Sequence, residues 1–315
     1  MGGYIRGILQ TMITRHEHNG VTWIDLEAPT QDELHAVIQE FGIDSRVEQE
    51  IVNPTPYPLV ATFPSYVYMI LHFPTADLTC GTRNQEVDII VGKEFLITVR
   101  YETIACIHSL HKAFEAEMLL DERRHTDMVS LLERALRHLY SSMREEVEEV
   151  ARQLDRIEEQ IFSGKEKEMV RKISEAGRVL LRFDTTLQRH QEPLDEFLLE
   201  LQAPILLGKK FKTPAAHIEA ERAHVAALVS SYRAAAGELR ATNDALLSSS
   251  QDNVMKIFTG ITVILLPLTL IAGIFGMHTE HEPIIGHPLD FWIIIGAMAV
   301  LGIFLYAYMK YKKWI

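Results

Sequence analysis

Two charge-free apolar runs near the C-terminal end of this 315-residue chain, Ile257 to Met277 and Phe291 to Met309, limit its possible folds more than any other feature. The first is 21 residues long, and at about 1.5 Å per helical residue it reaches about 30 Å, the depth of a bilayer's hydrocarbon core. The second, 19 residues, opens on Phe291-Trp292 and runs out among Tyr306, Tyr308, Tyr311 and Trp314, the aromatic belt expected at membrane interfaces. Together they predict a membrane hairpin. Lys256 precedes the first run and Lys310, Lys312 and Lys313 follow the second, whereas the 13-residue connection from His278 to Asp290 holds no Lys or Arg. By the positive-inside rule both termini are expected in the cytoplasm, which makes this a multi-pass inner-membrane protein.

Averages conceal this. Mean hydropathy is only +0.02 because residues 1–252 carry 40 Asp and Glu against 27 Lys and Arg. A domain so acidic argues against nucleic acid as a partner and suits the attraction of cations. The two cysteines, Cys80 and Cys106, have no metal-binding spacing and are expected to be reduced, in a cytosolic compartment. The opening Met-Gly-Gly-Tyr-Ile-Arg has no signal-peptide core, so the N-terminal part is expected to stay in the cytoplasm. Gly-rich phosphate loops and nucleophile motifs are absent, so no enzyme activity and no prosthetic group are expected.

Helical spacing sorts the first run into two faces. Met255, Thr259, Thr262, Leu266, Thr269 and Gly273 follow one another at steps of four and three, forming one stripe that holds every threonine of the span. The opposite face, with Ile257, Ile261, Ile264, Leu265, Leu268, Ile271, Ala272 and Phe275, is wholly apolar and suits lipid or the second helix. A threonine stripe within a membrane needs another helix or water against it. If water, several copies must form a ring, since one pair of helices cannot enclose a pore.

The expected fold class is an α+β membrane protein. Residues 1–102 read as a small α/β domain, with strands at Val21–Leu26, Tyr66–Phe73, Glu86–Val91 and Glu94–Arg100, and a capping box at Thr30 and Glu33 opening a helix that ends near Phe41-Gly42. Prolines at 54, 56, 58 and 64 mark an irregular connection inside it. Residues 103–212 read as a bundle of long helices whose dense Glu and Arg are a solvated, ion-paired surface rather than a site. Thr213 as N-cap and Pro214 open a stalk helix over 213–256, unbroken into the span at 257–277. An external loop (278–290), a second span (291–309) and a basic cytoplasmic tail (310–315) complete the chain.

These residues carry a family likeness. Asn253-Val254-Met255-Lys256, then Leu266-Pro267-Leu268-Thr269-Leu270-Ile271-Ala272-Gly273-Ile274-Phe275-Gly276-Met277, resembles the first membrane helix of the CorA family of magnesium and cobalt transporters. The likeness extends to Pro283, the second span and the Lys310–Lys313 tail, and upstream to Trp23-Ile24-Asp25-Leu26 and Phe95-Leu96-Ile97-Thr98-Val99. It implies a homopentamer in lipid that takes up Mg²⁺, and Co²⁺ or Ni²⁺, through five first helices, gated by intracellular divalent ions held between subunits. On that pattern Asp252 lies at the cytoplasmic mouth, Thr262 and Leu266 in a hydrophobic neck, and Thr269 and Gly273 nearer the outside. Mg²⁺ is then substrate and regulatory ligand.

The sequence departs from the family at its signature, Gly-Met-Asn, which here reads Gly276-Met277-His278. The following loop has Glu280, His281 and Glu282 before its proline in place of an acid after it. Gly276, Met277, His278 and Glu280 would form the external mouth, and His278, Glu280 and His281 are candidate metal contacts. A neutral imidazole can accept hydrogen bonds from hydrated Mg²⁺, yet it also binds Zn²⁺, Co²⁺ and Ni²⁺ directly. A zinc transporter like the related ZntB branch is therefore the first alternative, and a non-conducting membrane-anchored metal sensor or scaffold the second.

Overall fold

The computed structural model describes residues 12–18, 20–53, 55–74, 84–101, 127–276 and 290–312. They gather into two compact units, 1–164 with 168–239, and 165–167 with 240–315.

The first unit is built on a six-stranded sheet in the order β1-β2-β6-β5-β4-β3. Its strands are β1 (Met12–His18), β2 (Val21–Glu27), β3 (Leu59–Thr62), β4 (Tyr66–Phe73), β5 (Gln85–Gly92) and β6 (Phe95–Arg100). All neighbours are antiparallel except β2 and β6. The helices α1 (Gln31–Glu40) and α2 (Ser45–Val52) lie in the connection between β2 and β3. The capping box opens α1 as expected: Thr30 Oγ1 accepts from the Glu33 amide, and the Glu33 carboxylate accepts from the Thr30 amide. The last residue of β5 is glycine because a Cβ at position 92 would meet the Phe95 ring at 2.3 Å. The four expected strands form with ends shifted by a residue at most. The sequence reading missed β1, α2 and β3; β3 is four residues lying between Pro58 and Pro64, inside the connection read as irregular.

Strand alternation gives the sheet two buried faces. Ile24, Leu26, Tyr66, Tyr68, Ile70, Ile90, Ile97 and Val99 form one core with Leu34, Val37 and Ile38 of α1 and Val47 and Ile51 of α2. The other face carries Trp23, Val67, Met69, Leu71, Phe73, Val87, Ile89 and Leu96, all buried. Phe73 meets Tyr140 of α3 (Met128–Phe162) and His190 of α4 (Glu166–Glu200) edge to face. A charged group is held within this second face as well. The Arg100 guanidinium donates to Asp25 at 2.9 and 3.1 Å and pairs with Glu27 at 2.7 Å, while Thr98 donates to Asp25 at 2.5 Å.

Both α3 and α4 run 35 residues and bury one stripe each: Leu136, Leu139, Tyr140, Met143, Val147, Val150 and Leu154 on α3, and Ile173, Leu180, Phe183, Leu187, His190 and Leu194 on α4. Their outer faces are the ion-paired surface expected, with Arg152 and Arg156 on Glu149 and Arg171 on Glu175. Such exposed pairs are screened by solvent and need no functional account. A 3₁₀ turn, Gly208–Phe211, then runs straight into α5 (Lys212–Phe275). Phe211 is buried, which fixes this junction, so the helix begins just ahead of Thr213 rather than being capped by it, and Pro214 falls in the first turn, where a missing N–H costs nothing. At 64 residues α5 measures about 96 Å.

Candidate ion pathway

The second unit holds the apolar end of α5 and α6 (Asp290–Tyr311), the two helices among the described residues long and apolar enough to cross a membrane. Almost nothing of either apolar stretch is buried inside the protein. Water-exposed apolar helices of this length are untenable, whereas lipid accepts them.

Where the two spans touch, they do so through the apolar face of α5. Gly260 is buried, and Ile264, Leu268, Ile271 and Phe275 are partly covered. On α6 stand Gly302, where an added Cβ would lie 3.7 Å from Leu268, and buried Met309. Each residue of the stripe, Met255, Thr259, Thr262, Leu266, Thr269 and Gly273, is exposed in the single chain, as is Asp252 one turn before it. Leu266 and Met255 are each 63% exposed. Among the described residues a Cβ on Gly273 would meet nothing within 4 Å.

The stripe's chemistry is that of an acceptor. Thr262 donates its hydroxyl proton to the Phe258 carbonyl at 2.9 Å and Thr269 to the Leu265 carbonyl at 2.8 Å. With those protons committed, both oxygens offer only lone pairs outward, which suits a cation or its hydration water. Pro267 lies inside the span, where the chain can tolerate a missing backbone donor beside threonines and a second helix. Of the expected mouth residues only Gly276 is described; Met277, His278, Glu280 and His281 lie outside the described residues, as do Cys80 and Cys106. Among the described residues no three His, Cys, Asp or Glu side chains stand close enough to hold a metal ion.

A sheet-and-helix N-terminal unit, one very long helix and a second apolar span define a two-span membrane protein. Matching of the CorA-like Mg²⁺ transporter family's sequence model over residues 18–312 shows that the chain belongs to that family. It is 24% identical to the cobalt/magnesium transport protein CorA of Thermotoga maritima over 98% of this chain and 87% of that one. Against the protein of the same description from Methanocaldococcus jannaschii it is 22% identical, covering 93% and 91%. The fold superposes on the complete structure of the CorA magnesium transporter from Methanocaldococcus jannaschii with a TM-score of 0.81 at 21% identity, over 95% of this chain and 93% of that one. The ZntB cytoplasmic domain from Vibrio parahaemolyticus is more distant, with a TM-score of 0.56 at 12% identity over 73% of this chain.

Proposed function

We propose that the chain is one subunit of an oligomeric channel for divalent metal cations, Mg²⁺ first and Co²⁺ or Ni²⁺ after it, with the threonine stripe of α5 lining the path. The observation that carries this reading is the stripe itself. Its hydroxyls and its glycine face away from α6, uncovered, in a helix otherwise suited to lipid. Copies arranged in a ring, a pentamer by family likeness, would turn six exposed positions into six layers of a pore.

In that pore Asp252 is a carboxylate ring at the cytoplasmic mouth, Leu266 a narrow apolar layer that closes by excluding water, and Thr269 an oxygen ring beyond it. Gly276, Met277, His278 and Glu280 stand at the outer entrance. Both termini are cytoplasmic on the charge rule, and intracellular divalent ions held between subunits gate the channel, a reading supported by the family likeness. Magnesium enters hydrated, since it sheds water reluctantly and the threonine layers offer acceptors for that water. His278 favours the zinc reading as the alternative, because imidazole coordinates Zn²⁺ directly.

Purified protein in liposomes, loaded with dyes for Mg²⁺ or Zn²⁺, tests the assignment. Mg²⁺ entry that Co²⁺ competes for supports it; Zn²⁺ entry alone moves the chain to the zinc branch, and silence toward both ions leaves a sensor or scaffold.

A further inference from the structure

The sheet face that packs on α1 and α2 holds a buried polar cluster: Glu86 and Asp88 of β5, Tyr68 and His72 of β4, and Tyr101 just after β6. Asp88 is 0% exposed, and among the described residues no Lys or Arg bonds to it. Its Oδ1 accepts from the Tyr68 hydroxyl at 2.5 Å, and its Oδ2 lies 3.2 Å from the Tyr101 hydroxyl oxygen. The same Tyr101 hydroxyl also reaches the carbonyl of Ile51, in the last turn of α2. Alongside, His72 Nε2 is 2.6 Å from the Thr55 carbonyl and 3.2 Å from Glu86 Oε2, while His72 Nδ1 and Glu86 Oε1 have no partner among the described residues.

Counting protons makes this a switch. Tyr101 has one hydroxyl proton and two oxygens within reach. If it goes to Ile51, the contact with Asp88 needs a proton from the carboxyl, and an un-ionised Asp88 then satisfies every bond: Tyr68 to Oδ1, Oδ2–H to Tyr101, Tyr101 to Ile51. If Asp88 is ionised, Tyr101 must turn its proton to Oδ2, and the Ile51 carbonyl loses its donor. We propose that Asp88 is a proton-binding site which, when occupied, ties the end of α2 to the sheet through Tyr101 and, when emptied, releases it.

The surroundings favour the occupied form. Burial pushes the Asp88 carboxyl up to about 7; the Glu86 charge adds to this, and the hydroxyls of Tyr68 and Tyr101 and the charge of His72 oppose it. These are the titratable groups that act on Asp88 from β5, β4 and the end of β6, and α2 meets the cluster with the Ile51 carbonyl. The negative end of a helix adds to the cost of an anion there.

Infrared spectra of the full-length protein, isotope-labelled at its aspartate carboxyls and titrated from about pH 5.5 to about 8.5, test the site. The expected result is a label-sensitive protonated-carboxyl band that disappears near neutral pH and is missing in Asp88→Asn. Hydrogen exchange over residues 45–53, corrected for intrinsic pH dependence, should lose at least about threefold in protection across the same transition. Asp88→Asn, whose amide donates to Tyr101 at any pH, should stay protected throughout, and Tyr101→Phe unprotected throughout. An aspartate band absent over the whole range, or wild-type protection that does not change with pH, overturns the proposal. Both readings come from the wild-type protein, so a variant that fails to fold leaves the test standing.

Discussion

His190 is enclosed between Phe73 and Tyr140 with both ring nitrogens engaged, Nε2 donating to the His72 carbonyl at 2.8 Å and Nδ1 accepting from the Tyr140 hydroxyl at 3.2 Å. That pairing suits only the neutral ring, and burial pushes its pKa down to about 4. The unfolded chain takes up a proton below about 6.5 and the folded chain only below about 4, so stability is lost as pH falls through that window. The loss should reach about 3 kcal/mol; in calorimetry at stepped pH, His190→Gln should be less stable at pH 7 yet show a flatter decline below it. This histidine was legible only in part: it keeps the three-and-four spacing of Phe183, Leu187, Leu194 and Phe197, but the charged neighbours of α4 masked it. Asp88 and Arg100 were less legible still, since their partners Tyr101 and Asp25 lie on other strands or beyond. In the span, by contrast, spacing placed Leu266 on the stripe, and the family resemblance proposed it for the neck. Leu266→Ala should raise resting cation leak in assembled protein, read as dye signal in liposomes held under closing conditions. The proposed outer ring of His278 would gain positive charge as external pH falls from about 7.5 to about 5.5. Uptake should therefore fall, and His278→Asn should remove most of that sensitivity.

At the scale of elements, α5 was readable because nothing breaks it between Pro214 and Pro267, and the second span because charge stops and aromatic residues begin at its ends. Of the elements missed, β1 and β3 are the sheet's two edges. An edge strand needs little apolar alternation, and β3 has room for four residues between two prolines. Helix α2 is eight residues with two buried positions, too few for a periodic signal. The contact of α5 with α6 sets Gly302 beside Leu268, with space for little more than a methyl group between them. Gly302→Ala should therefore keep assembly and flux close to wild type, since its methyl fits against Leu268, whereas Gly302→Phe should push the spans apart and lower the yield of intact oligomer on gel filtration.

For the whole molecule, the order of parts was legible: an acidic N-terminal part, a helix that continues into the membrane, and a short return span. What the sequence could not supply is how many copies assemble, because ring size depends on packing angles between chains rather than on any local pattern. The account turns on which face of α5 the ions meet, and cysteine accessibility asks this directly. With Cys80 and Cys106 replaced by serine, Thr262→Cys and Ile264→Cys proteins in liposomes would be treated with a small cationic thiol reagent while Mg²⁺ entry is followed. The account predicts block of the Thr262→Cys protein and unchanged entry through Ile264→Cys, whose side chain is partly covered by its own chain. Block at Ile264→Cys with none at Thr262→Cys would place the ions on the other face and contradict it.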